Sequence, residues 1–222
     1  PETTSEERLL KTINDLNNNN EIDGFIVQLP LPKHINEEKV LLAINPNKDV
    51  DGFHPENFGK MALEMDSFIP ATPFGILQLL ERYQVETKGK HTVVIGRSHI
   101  VGRPMSILMS QKGPAANSTV TLTHSYTKNL SEITKQADII VVALGIPEYL
   151  KADMVKDGAV IVDVGIHRIE DTTKKSGYRL IGDVDFDEVS KKCSHISPVP
   201  GGVGPMTRAG LLLNTMRAYE AK

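Results

Sequence analysis

The chain has 222 residues, 25 Lys and Arg against 28 Asp and Glu, a formal net charge of −3 and one cysteine, Cys193. Its length allows two modest domains or one large one, each able to bury a core without staples. The balance of charge leaves no broad basic surface for nucleic acid or an anionic membrane, one cysteine excludes an intrachain disulfide and a Cys-cluster zinc site, and no apolar run reaches membrane-spanning length.

The opening PETTSEERLL is acidic and polar where a signal peptide is basic and then apolar, so the expected compartment is reducing and cytoplasmic, with a removed transit peptide left open. Thr4 to Glu7 reads as a capping box ahead of Leu9, Leu10, Ile13 and Leu16, spaced for one helical face and ending in the asparagines 17–20. Asp23 to Leu29 reads as a buried strand stopped by the prolines of LPLP. Gln28, at its end, carries an amide that both donates and accepts. That suits a heterocycle edge or an attacking water, and equally the tying down of a proline turn.

A second helix is predicted over Glu37 to Ile44, ending before Pro46, and KDVDGFHPENFGK then reads as a loop. KDVDG is read as turning Asp49 and Asp51 to opposite faces, so one of them is expected to face a ligand. Two acids in a Gly-bounded loop also admit a metal, but neither His54 nor a nearby acid completes a ligand spacing, and no metal is expected. Organisation changes near Ile69: after a helix over Gly75 to Tyr83, apolar strands are predicted at His91–Ile95, Thr119–Thr123, Asp138–Ala143, Ala159–Val164 and His195–Val199 with helical segments between them. Strands apolar throughout and alternating with helices predict an α/β fold, a Rossmann-like doubly wound parallel sheet.

HTVVIGRSHIVGRP, from His91 to Pro104, has the strand, loop, helix order of a turn that seats phosphate on free N–H groups at a helix N-terminus. The fit is imperfect, because a standard fingerprint puts glycine at positions 98 and 101, which are Ser98 and Val101 here; an ordinary strand-to-helix turn is the alternative. The next strand ends in His124, Ser125 and Tyr126, without the acid that a NAD site places against the ribose 2′-hydroxyl. Together with Arg97 and Ser98, that predicts NADP. Ile166, after the glycine of VDVG, stands where a cofactor ring could lie or where a core isoleucine would pack. In ISPVPGGVGPMTRAG, Pro198 and Pro200 hold the chain extended, while Gly201, Gly202 and Gly204 let backbone approach a flat ligand. A structural turn is the other reading of that stretch. Pro205 suits the first turn of a final helix whose Leu211, Leu212, Thr215 and Met216 are expected to pack inward.

Taken in order, DGFIVQLPLPKH, NKDVDGFHPENFGKM, PATPFGILQLL, VVIGRSHIVGRPMSILM, TVTLTHSYT, ADIIVVALGIP, VIVDVGIHR, GDVDF and ISPVPGGVGPMTRAGLL resemble the bifunctional methylenetetrahydrofolate dehydrogenase/methenyltetrahydrofolate cyclohydrolase family across essentially the whole chain. The resemblance implies oxidation of 5,10-methylenetetrahydrofolate by NADP⁺ and hydrolysis of the methenyl product to 10-formyltetrahydrofolate, with tetrahydrofolate derivatives as partners in a homodimer. It implies that Gly96, Arg97, Ser98, Ser125 and Ile166 hold the dinucleotide. Val27, Gln28, Leu29, Pro200, Gly201, Gly202, Val203 and Gly204 would line the folate site, Asp51 would bind the pterin's donor edge, and Gln28 and Asp51 would be the catalytic residues present. Residues 1–70 would form the smaller α/β folate domain, 71–204 the NADP domain, and the helix 205–222 would pack back on the first. The family's Tyr-x-x-x-Lys segment, whose lysine manages protons in the hydrolysis, has no match here. Lys11 is read as a solvated helix residue and the folate domain as lacking its front, so that hydrolysis by this chain is expected near the uncatalysed rate and hydride transfer weak, with NADP⁺ binding retained. The alternatives are a catalytically impaired NADP-binding fragment, or another NADP-dependent oxidoreductase of shikimate-dehydrogenase type.

Overall fold

The structure, a computed structural model, describes residues 2–221. The chain forms two compact units: one takes the described residues through Ala71 and from Ala209 onward, the other is Thr72–Arg208.

In the first unit, helix α1 (Glu6–Asn17) starts at Ser5, whose side chain accepts from Arg8 N at 3.2 Å. The cap falls one residue after the predicted Thr4, and Glu6 is used elsewhere: its carboxylate accepts from Asn36 N at 2.8 Å and from Lys39 Nζ at 2.7 Å. Lys39 belongs to α2 (Glu37–Ala43), so Glu6 ties the two helices while Ile13, Ile35, Val40 and Ile44 form the core beneath. The predicted strand over 23–29 is reduced to one parallel bridge, Phe25 opposite Asp49, with Phe25 N donating to Lys48 O at 3.0 Å. Pro30 and Pro32 offer no N–H to extend such a ladder.

The loop predicted after Asp51 contains a helix, α3 (Pro55–Ala62). His54 caps it by accepting Glu56 N on Nδ1 at 3.1 Å, Pro55 occupies the first turn, and Asn57 and Met61, four apart, form its buried side.

The second unit is built on a five-stranded parallel sheet, ordered β2-β1-β3-β4-β7. The strands are β1 (His91–Ile95), β2 (Thr119–Thr123), β3 (Ile139–Val142), β4 (Val160–Asp163) and β7 (His195–Ile196). The last is shorter than predicted because Pro198 cannot donate to a ladder. Between β4 and β7 lies an antiparallel hairpin that the sequence reading missed, β5 (His167–Glu170) with β6 (Tyr178–Ile181). Alternate strand residues feed cores on the two faces of the sheet. Val94, Val141 and Val162 meet α4 (Ala71–Arg82) and α5 (Gly102–Ser110) on one face. On the other, Val93, Ile140 and Ile161 meet the side of α6 (Leu130–Thr134) and α7 (Phe186–Val189).

The final helix, α8 (Val203–Glu220), begins two residues before Pro205, which sits in its first turn where a missing N–H costs nothing. Its expected inward face is corrected in part: Leu211 packs against Val50, Phe68 and Ala218 and Thr215 is half-buried, but Leu212 and Met216 are 66% and 58% exposed, and the fully buried positions are Gly210, Asn214 and Ala218, spaced by four. The polar Asn214 defines that face, so an apolar pattern misses it. No helix of the described residues is long and apolar enough to cross a membrane.

Candidate functional site

The strand order reverses between β1 and β3, with β2 lying beyond β1, so the crevice outside the carboxyl ends of β1 and β3 is where a doubly wound sheet binds its ligand. Gly96 leaves β1 there with φ +114°, and a Cβ on it would overlap the carbonyl oxygen of Ala143, just after β3. A Cβ on Gly102, which opens α5, would in turn overlap the carbonyl oxygen of Gly96. Glycine is therefore demanded at 96 and 102 rather than at 98 and 101, and Ser98 is free to cap: its Oγ accepts from Val101 N at 3.2 Å. Arg97 and Ser98 are exposed, and the Arg97 guanidinium lies 5.8 Å from the centre of the Tyr126 ring. Ser125 is exposed in the turn after β2, where His124 Nδ1 accepts from Tyr126 N at 3.2 Å and no carboxylate stands at 124–127. A glycine-lined turn, a helix N-terminus and an accessible guanidinium without a competing acid fit a dinucleotide carrying a 2′-phosphate.

A second part of the same unit opens beyond β4. Ile166 is 63% exposed, which excludes the core reading. It lines a cleft of about 570 Å³ together with Asp163–Gly165 and the loop 198–205. The structure thus brings Ile166, Pro200, Gly201, Gly202, Val203 and Gly204 into one cavity. Gly201 takes φ +105°, a backbone conformation that side-chain-bearing residues rarely adopt, and a Cβ on Gly202 would stand 2.5 Å from Pro198 O, so the loop favours glycine at 201 by conformation and at 202 by close approach. Val203, whose side chain belongs to the core beneath, is buried, as is Gly202, whereas Gly201 and Gly204 are exposed. Thr72 and Thr207, not singled out in the sequence, also line the cleft, their hydroxyls 3.0 Å apart.

In the first unit, Gln28 is exposed and its Nε2 donates to Leu29 O at 3.0 Å. Val27 and Leu29 flank it, half-buried, and Val27 packs against the core of that unit. The parallel bridge at Phe25 and Asp49 sends Val27–Leu29 and Asp51 onward in the same direction. The two acids do divide, but through a turn and not through alternation: residues two apart in an extended segment share a face, and here Gly52 N donates to Asp49 O at 3.0 Å and closes a turn over Val50 and Asp51. Asp49 is buried and fully engaged, accepting from His54 N at 2.8 Å, Asn57 Nδ2 at 2.9 Å and Phe53 N at 3.3 Å. Asp51 is half-buried, and its carboxylate accepts no hydrogen bond among the described residues. Burial, with a smaller contribution from Asp49, pushes its carboxyl up to about 6. Among the described residues no three His, Cys, Asp or Glu side chains gather as a metal site. Lys11 is exposed on α1.

Sheet order, switch-point turn and glycine loop define an α/β nucleotide-binding protein. Residues 70–222 match the NAD(P)-binding domain of tetrahydrofolate dehydrogenase/cyclohydrolase, and residues 1–51 match the catalytic domain of the same enzymes. The chain is 73% identical over 222 residues to the bifunctional protein FolD of Flavobacterium psychrophilum, covering all of this chain and 76% of that protein. Among solved structures it resembles the bifunctional FolD methylenetetrahydrofolate dehydrogenase/cyclohydrolase of Campylobacter jejuni, with TM-score 0.91 and 48% identity, over 99% of this chain and 75% of the other. It also resembles the Trypanosoma brucei enzyme complexed with NADP cofactor and inhibitor, with TM-score 0.92 and 37% identity, over 100% and 74%. The chain belongs to the tetrahydrofolate dehydrogenase/cyclohydrolase family, and it spans about three quarters of the length of these relatives.

Proposed function

We propose that this protein oxidises 5,10-methylenetetrahydrofolate with NADP⁺ and hydrolyses the methenyl product to 10-formyltetrahydrofolate. The observation that carries the reading is the shared cleft. Ile166, the seat assigned to the cofactor ring, and the loop Pro200–Gly204, assigned to a flat folate, line one cavity. Membership of the family supports it, and the two alternatives, a non-catalytic fragment and a shikimate-type dehydrogenase, are not favoured.

When bound, NADP⁺ supplies the hydride acceptor. This chain's residues supply orientation, which is what the step needs, because the methylene carbon lies between two nitrogens whose lone pairs stabilise the developing cation. Gly96, Ser98 and the start of α5 seat phosphate, Arg97 and Ser125 receive the 2′-phosphate, and Ile166 backs the ring. Asp51 offers an acceptor for the pterin's donors, while Val27, Leu29 and the amide of Gln28 line the folate on the first unit. A homodimer and a cytoplasmic setting belong to the same proposal.

The test is an assay of the folded protein with NADP⁺ and 5,10-methylenetetrahydrofolate, following NADPH, and then with the methenyl compound alone, following its hydrolysis. Absence of NADP⁺ reduction would overturn the dehydrogenase reading, and absence of both reactions the whole proposal. Sedimentation equilibrium decides the dimer.

A further inference from the structure

Two stretches, one around Val162–Arg168 that lines the cleft and one around Gly182–Phe186, interlock through buried carboxylates to which no step has been assigned. Asp163 closes β4 and Asp183 follows β6; they are 2% and 0% exposed. Backbone donors converge on both. Asp163 Oδ1 accepts from Gly165 N and Asp183 N, each at 2.9 Å, and its Oδ2 from Val184 N at 3.0 Å. Asp183 Oδ2 accepts from Leu144 N at 2.7 Å and Gly145 N at 2.9 Å, and its Oδ1 from His167 Nε2 at 2.7 Å. The fit leaves no spare room: a Cβ on Gly165 would overlap the Asp183 carboxylate, and one on Gly182 the carboxylate of Asp163. Such a site is costly to keep, since burial pushes the Asp163 carboxyl up to about 6 against the hydrogen bonds that lower it.

The connections run to both ends of the cofactor site. His167 and Gly165 flank Ile166. Leu144 and Gly145 follow Ala143, whose carbonyl lies against Gly96 in the phosphate turn. Resting on the reading above, in which Gly96–Ser98 hold phosphate and Ile166 backs the ring, we propose that Asp183 is a positioning residue for hydride transfer, its carboxylate fixing the spacing between the phosphate turn and the ring seat. It touches neither ligand. Its effect is on reach: displacement of reacting groups by about 1 Å can cost on the order of a hundredfold in rate.

Asp183→Ala removes the acceptor shared by Leu144, Gly145 and His167. The expected result is a kcat for NADP⁺-dependent oxidation lower by about a hundredfold, with the KM for NADP⁺ changed less than about fivefold. The kinetic isotope effect should rise with substrate deuterated at the methylene carbon, and exchange at the amides of Leu144 and Gly145 should quicken. Asp183→Asn retains an acceptor for those amides and can meet His167 in its other tautomer, so it should recover kcat to within about tenfold of the parent. A merely structural loss would reduce the active fraction and leave the isotope effect where it was. Should Asp183→Ala fail to fold, Asp183→Ser is read by the same criteria. A kcat within about twofold of the parent, or a lower kcat with an unchanged isotope effect, overturns the proposal. An unmutated protein without dehydrogenase activity overturns the function above and this inference with it, whereas an active parent with an insensitive variant overturns this inference alone.

Discussion

The carbonyl oxygen of Val50 accepts from Asn214 Nδ2 at 2.8 Å, a bond between residues 164 positions apart in the chain. The same amide donates to Ile69 O at 2.8 Å, and Asp51 O accepts from Ala71 N at 3.3 Å. The backbone around Asp51 is thus held by α8 and by the segment leading into α4. Asn214→Ala strands the buried carbonyl of Val50 and the half-buried one of Ile69 and should cost about 2–3 kcal/mol in urea unfolding. Asn214→Asp, which keeps the shape but presents oxygen to oxygen, should cost at least as much. A loss below about 0.5 kcal/mol in both variants would show that other contacts hold Asp51.

Asp51 gives a pH signature. Its carboxyl is raised from 3.8 to about 6, first by burial and then by Asp49. The folded state therefore favours the protonated form, so this contribution to stability is full below the unfolded value and is lost as pH rises through the folded one. The fall is at most about 3 kcal/mol. Asp163 is raised into the same range, so the measurement is a difference: stability should fall less between about pH 4 and pH 7 in Asp51→Asn than in the parent. Parallel profiles would show that Asp51 does not titrate there.

Folate affinity should report on the same side chain. Asp51→Ala removes an acceptor for the pterin's donors and should raise the folate dissociation constant by about tenfold or more, the scale of a charge-assisted hydrogen bond. Equilibrium titration with chelator present and absent decides it, since unchanged affinity, or binding abolished by chelation, contradicts the assigned role.

Cofactor choice should turn on the end of β2. Ser125→Asp places a negative charge in an exposed turn that has none and should weaken NADP⁺ markedly more than NAD⁺. Calorimetric titration with both dinucleotides is the check, and equal losses would remove Ser125 from the 2′-phosphate site.

The turn after β1 should tolerate no methyl group at 102. Gly102→Ala drives a Cβ into the carbonyl of Gly96, so the loop must move, at about 1–3 kcal/mol of stability and with loss of NADP⁺ affinity. Gly113→Ala, whose Cβ would meet only Ala116 at 3.7 Å, is the control and should bind as the parent does. NADP⁺ affinity unchanged in Gly102→Ala would place the phosphates elsewhere.

The sequence by itself determined the parallel sheet, because short apolar runs bounded by turn residues and alternating with helical segments are the pattern of strands covered on both faces. The sequence left the division between Asp49 and Asp51 open, because residues two apart in an extended segment share a face and what parts these two is the turn closed by Gly52 N on Asp49 O. It could not say which was engaged; that depended on Asn57 and the N–H groups of Phe53 and His54, presented by a turn and helix read as a loop. Helix α3 escaped because its cap is a histidine and its buried side an asparagine and a methionine, a polar and an apolar residue that form no stripe. Asn214, Asp163 and Asp183 were invisible as structural residues for a related reason. Most of their partners are main-chain groups brought from 20 to 164 positions away, and a backbone N–H or carbonyl leaves no mark in a sequence. Periodicity and turn chemistry are local and can be read along the chain, whereas the satisfaction of a buried polar group depends on which distant backbone the fold lays against it.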